Sequence, residues 1–172
     1  SAASFGLIRL NADGSIDDTF FHEDLGVVNK ISGLSLQSDG KVLYIEDARY
    51  LKRLSSNGSF DFDFNIGQAI DLRQYDPASP SKNTKVMVVQ LPSEKIVVAY
   101  VYFENGLRVF QVLRFEANGE LDLSYDSDGI ARYASNEYGP SNSLPLLTEN
   151  NNVVIVSTVC DGCFADENKG VV

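Results

Sequence analysis

The chain has 172 residues, 44% of them hydrophobic, and 14 Lys+Arg against 24 Asp+Glu give a net charge of −10. That is the size and make-up of one globular domain, or of a few packed repeats, with enough chain to bury a core unaided by metals or disulfides. The acidic balance argues against nucleic acid and anionic membranes as partners, since both need a cationic face. No apolar run approaches the ~20 residues that span a bilayer. One His, no Trp and two Cys stock few catalytic constellations.

The first β-type run is 5–10, and it leads into a phrase that occurs three times. Residues 9–20 read RLNADGSIDDTF, residues 53–64 RLSSNGSFDFDF and residues 114–125 RFEANGELDLSY. The copies align without a gap. Arg9, Arg53 and Arg114 open them, and Phe20, Phe64 and Tyr125 close them. Asp13-Gly14, Asn57-Gly58 and Asn118-Gly119 are turn dipeptides, because Gly accepts positive φ and Asp or Asn tolerates it. Asp17, Asp61 and Asp122, three places after each Gly, are placed to accept backbone N–H bonds from the turn. The repeated Arg is a natural partner for the repeated Asp, and the closing aromatic fits as a plug between neighbouring units.

A second phrase lies between the copies. Residues 34–47 (LSLQSDGKVLYIED), 88–102 (VVQLPSEKIVVAYVY) and 146–158 (LLTENNNVVIVST) each read as a strand, a polar turn and a β-branched strand. Glu104-Asn105-Gly106 predicts a hairpin joining 95–103 to 107–115. Further short strands are expected at 26–30 and 129–133. No segment keeps a 3.6-residue apolar period, so the chain reads as all-β. Four-stranded units repeating in sequence are the mark of a β-propeller. The approximate units are 1–25 (an end strand and phrase), 26–64, 65–125 and 126–172. The last unit is incomplete, and 5–10 is expected to complete it by pairing with 153–159 or the segment after it, in the same chain or a partner.

These phrases resemble the Delta-60 family of β-propeller-like repeats, whose pattern R-[LYF]-N-x-D-G-S-L-D-x-x-F is followed by A-L-Q-P-D-G-K-I-L-V-A-G. Residues 9–20 match the first half closely and 34–43 the second. The later copies match more loosely: 90–95 reads as one residue longer, and 149–152 has lost the Asp-Gly. The resemblance implies three propeller-type blades and an exported, cell-surface or periplasmic bacterial setting, with no assigned chemistry.

Candidate sites are few. Asp122, Asp126 and Asp128 sit in a Gly-terminated acidic loop that is half of a calcium loop. The closing Glu is missing, so a solvated acidic turn is the plainer reading and calcium the alternative; Asn11, Asp13, Ser15 and Asp17 form a weaker version. No other cofactor is expected. Cys160 and Cys163 flank an Asp-Gly after a β run, which suits a local disulfide in an exported protein, with free thiols and metal or redox chemistry as alternatives. His22 stands alone and reads as a surface residue. The departure from the repeat at 65–83, with Arg73 and Tyr75, and the stretch 133–140, with Tyr133 and Tyr138, read as tolerated loops or as binding loops. The function expected is a non-catalytic structural or interaction module that self-associates through its ends. The alternatives are a carbohydrate-binding module or carbohydrate-active enzyme fragment, with Tyr75, Tyr133 or Tyr138 stacking on sugar, and an assembly component of a surface fibre or phage tail. A protein or glycan ligand is compatible with each.

Overall fold

A computed structural model of the chain describes residues 6–20, 30–75, 86–105, 107–135, 144–147 and 152–156. The regular structure is all-β. Strands β1 (Ile31–Leu36), β2 (Val42–Glu46), β3 (Tyr50–Leu54) and β4 (Ile70–Asp71) form one antiparallel sheet in that order. Strands β5 (Val86–Gln90), β6 (Ile96–Glu104), β7 (Leu107–Phe115) and β8 (Ile130–Ser135) form a second. Strands β9 (Leu144–Leu147) and β10 (Val153–Val156) pair as a two-stranded hairpin. The two four-stranded sheets are consistent with propeller blades. Short 3-10 turns at Phe64–Gly67 and Leu72–Gln74 flank β4.

The central strands carry apolar side chains on both faces, and both faces are covered. In β2, Leu43 and Ile45 enter the main core while Val42 and Tyr44 enter a second cluster with Phe20 and Leu54. In β6, Ile96, Val98 and Tyr100 enter the same main core, and Val97 and Ala99 a third cluster with Leu91 and Val112. The period-2 pattern of a strand sends alternate side chains to opposite faces. A run such as Ile96–Glu104 (IVVAYVYFE) therefore suits a strand sandwiched on both sides. The main core lies between the two sheets, with Leu43, Ile45, Leu51 and Ile70 from the first against Val86, Val88, Ile96 and Leu113 from the second. The hairpin β9–β10 touches β5 and β6 through β9. The buried Gln111 on β7 is satisfied within the second sheet: its Nε2 donates to the Tyr100 hydroxyl at 2.6 Å and its Oε1 accepts from the Tyr102 hydroxyl at 3.3 Å.

The hairpins share one register. Leu36 stands opposite Val42, Gln90 opposite Ile96 and Leu147 opposite Val153. In the first turn the Gln37 amide donates to the Lys41 carbonyl at 2.8 Å, and Gly40 takes φ +82°. In the second the Leu91 amide donates to the Lys95 carbonyl at 2.7 Å, and Glu94 takes φ +63°. Glu94 thus occupies the place of Gly40, and 90–95 is the same length as its counterpart rather than one residue longer. A non-glycine side chain accepts the left-handed backbone there because the turn demands it.

The strand after the second phrase, and that after the third, closes the sheet before it. Ile70 pairs with Leu51, and Ile130 with Leu113. The sheets therefore overrun the limits drawn at residues 64 and 125. The segment 65–75, which departs from the repeat in sequence, supplies β4. It is held by the bidentate pair of Arg49 with Asp71, at 2.9 and 2.6 Å, and by the Leu72 amide donating to the Arg49 carbonyl. At the other end, Leu10 bridges Ile16 within its own phrase, and residues 7–9 lie outside any strand. Among the described residues, β10 pairs with β9. The expected pairing of 5–10 with 153–159 falls partly on residues 5 and 157–159, which lie outside those described, as does most of the expected strand at 26–30.

Replacing Glu94 by Gly should raise stability by about 0.5–1 kcal/mol, because relief of the left-handed strain exceeds the extra entropy glycine loses on folding. Urea unfolding of the wild type and the variant measures the difference.

Candidate functional site

The repeated phrase folds the same way three times. Its turn is closed by Asn11, Ser55 or Glu116 donating its amide to the carbonyl of Ser15, Ser59 or Glu120, at 2.7–2.9 Å. Gly14, Gly58 and Gly119 take φ of +85°, +87° and +95°. The Asp13, Asn57 and Asn118 side chains each accept the amide two residues on. Bridges Leu10–Ile16, Leu54–Phe60 and Phe115–Leu121 then bring the ninth-position Asp back beneath the Arg.

There the Arg and Asp meet. Arg9, Arg53 and Arg114 donate Nε–H to Oδ2 of Asp17, Asp61 and Asp122 at 2.7, 2.7 and 2.6 Å. The other carboxylate oxygen accepts the amide of Thr19, Asp63 or Ser124. Each guanidinium also lies over the closing aromatic, 4.9 Å from the Phe20 ring centroid, 4.5 Å from Phe64 and 4.4 Å from Tyr125. That distance is within the range of cation–π attraction.

Two features were not read from the sequence. First, a lysine from the preceding hairpin joins the pair: Lys41 Nζ lies 3.1 Å from Asp61 Oδ2, and Lys95 Nζ 2.9 Å from Asp122 Oδ2. The matching places of Lys41 and Lys95 after their turns were the available signal. Second, the arginine reaches out of its own repeat. Arg9 Nη1 donates to the Ser56 carbonyl and Arg53 Nη1 to the Ala117 carbonyl, both at 2.7 Å. Ser56 and Ala117 are the fourth residues of their phrases, so each link joins one copy to the next. The Asn65 amide donates to the Asn118 carbonyl at 2.8 Å beside it.

These contacts hold the carboxylates ionised. The Thr19 hydroxyl and amide, followed by Arg9, bring Asp17 down to about 2. For Asp61, burial pushes upward, but Lys41, the Asp63 amide and Arg53 together outweigh it. The Ser124 hydroxyl, with Lys95 and Arg114, overcomes burial and holds Asp122 far below the usual carboxylate value.

The acidic loop spends its oxygens on contacts within the chain. Both oxygens of the buried Asp122 are committed, one to Arg114 and Lys95 and the other to the Ser124 amide and hydroxyl. Asp126 and Asp128 are exposed, and Asp128 caps its own turn by accepting the Ile130 amide. In the weaker version, Asp13 accepts both the amide and the hydroxyl of Ser15. Among the described residues, no three His, Cys, Asp or Glu side chains converge as a metal site. Tyr75 lies edge-on to Phe115 at 5.6 Å, packed against the main core rather than displayed, and burial pushes its hydroxyl pKa up. Arg73 is exposed, and Tyr133 is exposed with its ring 6.3 Å from Phe110. Tyr138, His22, Cys160 and Cys163 lie outside the described residues. An apolar display gave no signal in the sequence: Phe62 is 75% and Ile66 91% exposed on neighbouring turns.

Residues 1–20 and 92–125 match the family model described as "Domain of unknown function (DUF5122) beta-propeller". The match takes in the first and third phrases. No curated protein matches the chain. Among solved structures, the chain is similar to a protein of unknown function from Bacteroides caccae, with a TM-score of 0.56 and 12% identity over 87% of this chain. It spans 46% of that protein's length. That likeness is one of fold alone, and the β-propeller description comes from the family match.

Truncating Arg53 to Ala should cost about 3 kcal/mol, since it strips a buried carboxylate of its closest cation. Arg9 to Ala should cost less, because Arg9 and Asp17 are more exposed. Chemical denaturation ranks the two. Acid should also act through these sites. Their folded pKa values lie below the unfolded value of about 3.9, so the folded state binds fewer protons than the unfolded state. The stabilisation is complete above that value and is lost as pH falls through it toward 2 and below. The melting temperature should drop steeply between pH 5 and pH 2, and Asp122→Asn should lower it at neutral pH while flattening the acid limb.

Proposed function

We propose that the chain is a non-catalytic structural or interaction module of an exported or surface-attached bacterial protein, made of Delta-60-type repeats arranged as three propeller blades. The observation that carries this reading is the internal closure of the repeated motif. Its Arg, Asp, Lys and aromatic groups bind their own repeat or the adjacent one, so Arg53 and Asp61, which with Phe64 line a depression of about 240 Å³, face it already paired with each other. A catalytic carboxylate pair needs one member with a raised pKa; the phrase carboxylates are held low by hydroxyl, amide and cation contacts. What the frame offers outward is its turns, with Phe62, Ile66 and Arg73 exposed there, and Tyr133 exposed on β8. Presenting loops from a stiff repeat scaffold is how such folds bind.

The carbohydrate-binding alternative keeps one observation in its favour, the exposed ring of Tyr133 on β8, whereas Tyr75 is withdrawn by its packing. A panel of chromogenic glycosides and a glycan array test both readings. The expected result is no turnover and no selective retention. Retention that Tyr133→Ala removes would replace the display reading with a carbohydrate-binding one, and turnover would overturn it altogether.

A further inference from the structure

We propose that the turn 62–69 is a docking site for an extended cationic segment of another protein. An aliphatic or aromatic side chain of that segment occupies the depression beside Phe62 and Ile66, and its Lys or Arg neighbours face Asp63 and Glu120. The proposal rests on the display reading above and names the chemistry of the partner. Three observations meet at this turn.

The first is an apolar display that the fold does not require. Phe62 is 75% exposed and Ile66 91%. Phe62 holds the tenth place of its phrase, where the first copy has Asp18 and the third Leu123, both also exposed. Ile66 stands two places after the closing aromatic, where the third copy has Ser127. Polar side chains therefore serve at both places. Phe62 borders the depression of about 240 Å³, whose apolar wall includes Phe60, Phe64 and Ala69. A short segment is held best by a side chain anchored in a pocket beside exposed apolar groups that exclude water.

The second is backbone strain that holds Ile66 outward. Asn65 and Ile66 take φ of 46° and 55° with ψ of 41° and 37°, and Gly67 takes φ of 72°. A β-branched residue resists this left-handed region, because its Cβ crowds the carbonyl that follows. Hydrogen bonds impose it here. The Asn65 amide donates to the Asn118 carbonyl at 2.8 Å, and the Gln68 amide to the Asn65 carbonyl at 3.0 Å. Asn65 Nδ2 donates to the Gln68 carbonyl at 3.1 Å. Gly67 folds onto Phe62, since a Cβ there would lie 3.0 Å from Phe62 Cδ1. In the third copy Ser127 eases the same bend, its hydroxyl donating to the Asp126 carbonyl at 2.6 Å. Ile66 has no such group and gains no burial in return. Strained positions of this kind gather at ligand clamps.

The third is charge. On the wall of the depression, Arg53 is paired with Asp61, and Lys52 with Glu46. The charges left over at the rim are carboxylates. Asp63 lies between Phe62 and Phe64, and Glu120 follows Gly119, where a Cβ would lie 3.2 Å from Asn65 Cβ. Both are exposed, and among the described residues neither enters an ion pair. A cation flanking the anchor is attracted there. A second copy of the chain would instead bring the same two carboxylates and a net charge of −10 to the contact.

The test is fluorescence anisotropy with a labelled peptide in which a central Leu pair is flanked by Lys. In one control peptide Ser replaces Leu, and in the other Glu replaces Lys. The wild type should bind the Leu–Lys peptide with a dissociation constant below about 1 mM at low salt, and should bind neither control measurably. Phe62→Ser and Ile66→Asn should each weaken binding about tenfold. Asp63→Asn combined with Glu120→Gln should weaken it and flatten its salt dependence. The melting temperature of free Ile66→Asn should equal or exceed that of wild type, because Asn accepts the left-handed backbone; an isoleucine kept for the fold would give a fall. No binding of the Leu–Lys peptide, equal binding by wild type and Ile66→Asn, or equal binding of the Glu control each overturns the proposal. So does a dimer in sedimentation that Ile66→Asn dissolves, which would make a second copy the occupant. Glycoside turnover, or glycan retention that depends on Tyr133, would overturn the display reading while leaving peptide binding at this turn in place, so the two failures are distinguishable.

Discussion

A guanidinium is a flat fork of five N–H donors, and this molecule uses that fork in three directions at once. Its Nε edge binds a carboxylate, its face covers an aromatic ring, and at Arg9 and Arg53 its Nη1 tip reaches the backbone of the next repeat. A lysine ammonium supplies the charge without the plane or the fork, so it satisfies the first demand alone. That is the division of labour observed: Lys41 and Lys95 add charge to the same carboxylates from the side, and the arginines set direction. The Asp in turn is fixed by the amide two residues downstream, joined at Asp17 and Asp122 by the Thr19 and Ser124 hydroxyls, so the pair is pre-positioned before any neighbour arrives.

Stacking of sheets follows from the same constraint. A four-stranded sheet whose central strand is apolar on both faces cannot stand alone in water. Each of β2 and β6 has one face in the shared main core and the other in an outer cluster. The outer clusters recruit the phrase aromatics, Phe20 in one and Tyr125 in the other. At Arg9 and Arg53 the group that lies over the ring also ties one repeat to the next, so packing between repeats and closure of the turn are one device. Gly119 shows how close that approach is, with the Phe64 ring lying where a side chain would begin.

Much of this was legible in residues. The three phrases gave the turns, because Asp-Gly and Asn-Gly in register specify a left-handed residue at one place. The hairpins were legible as β-branched runs about a polar turn, and Leu107–Phe115 begins where Glu104-Asn105-Gly106 ends. The expected pairing of Arg with Asp rested on charge and recurrence alone. What escaped had a physical reason in each case. β4 is two residues long and sits within a segment without the repeat's pattern, held by Arg49 and Asp71 rather than by hydrophobic alternation. Glu94 hid the equal length of the second hairpin, because glutamate is not a residue that sequence reading assigns to positive φ. The partners of Asp122 escaped because a carboxylate in a linear motif shows its oxygens but not the cations folded onto them.

The charge of the chain can now be divided. The net −10 is not spread evenly over the fold. Arg9, Arg49, Arg53, Arg114, Lys41, Lys52 and Lys95 are all engaged in ion pairs. The cations are thus drawn into the frame, and carboxylates such as Asp18, Asp39, Asp63, Asp126 and Asp128 are left exposed on the turns. Exposed like charges at that density keep turn surfaces of separate molecules apart, and the repulsion reaches about 10 Å at moderate salt. A contact between molecules must then form where the surface is uncharged or cationic. The Ile8, Leu10, Leu34 and Leu36 groove carries one charge, that of Arg9, which is paired with Asp17, and Arg114 lies beside the half-buried ring of Tyr125. Among the described residues, the same partition that stiffens each repeat therefore also sets the sign of the charge its turns present to solvent.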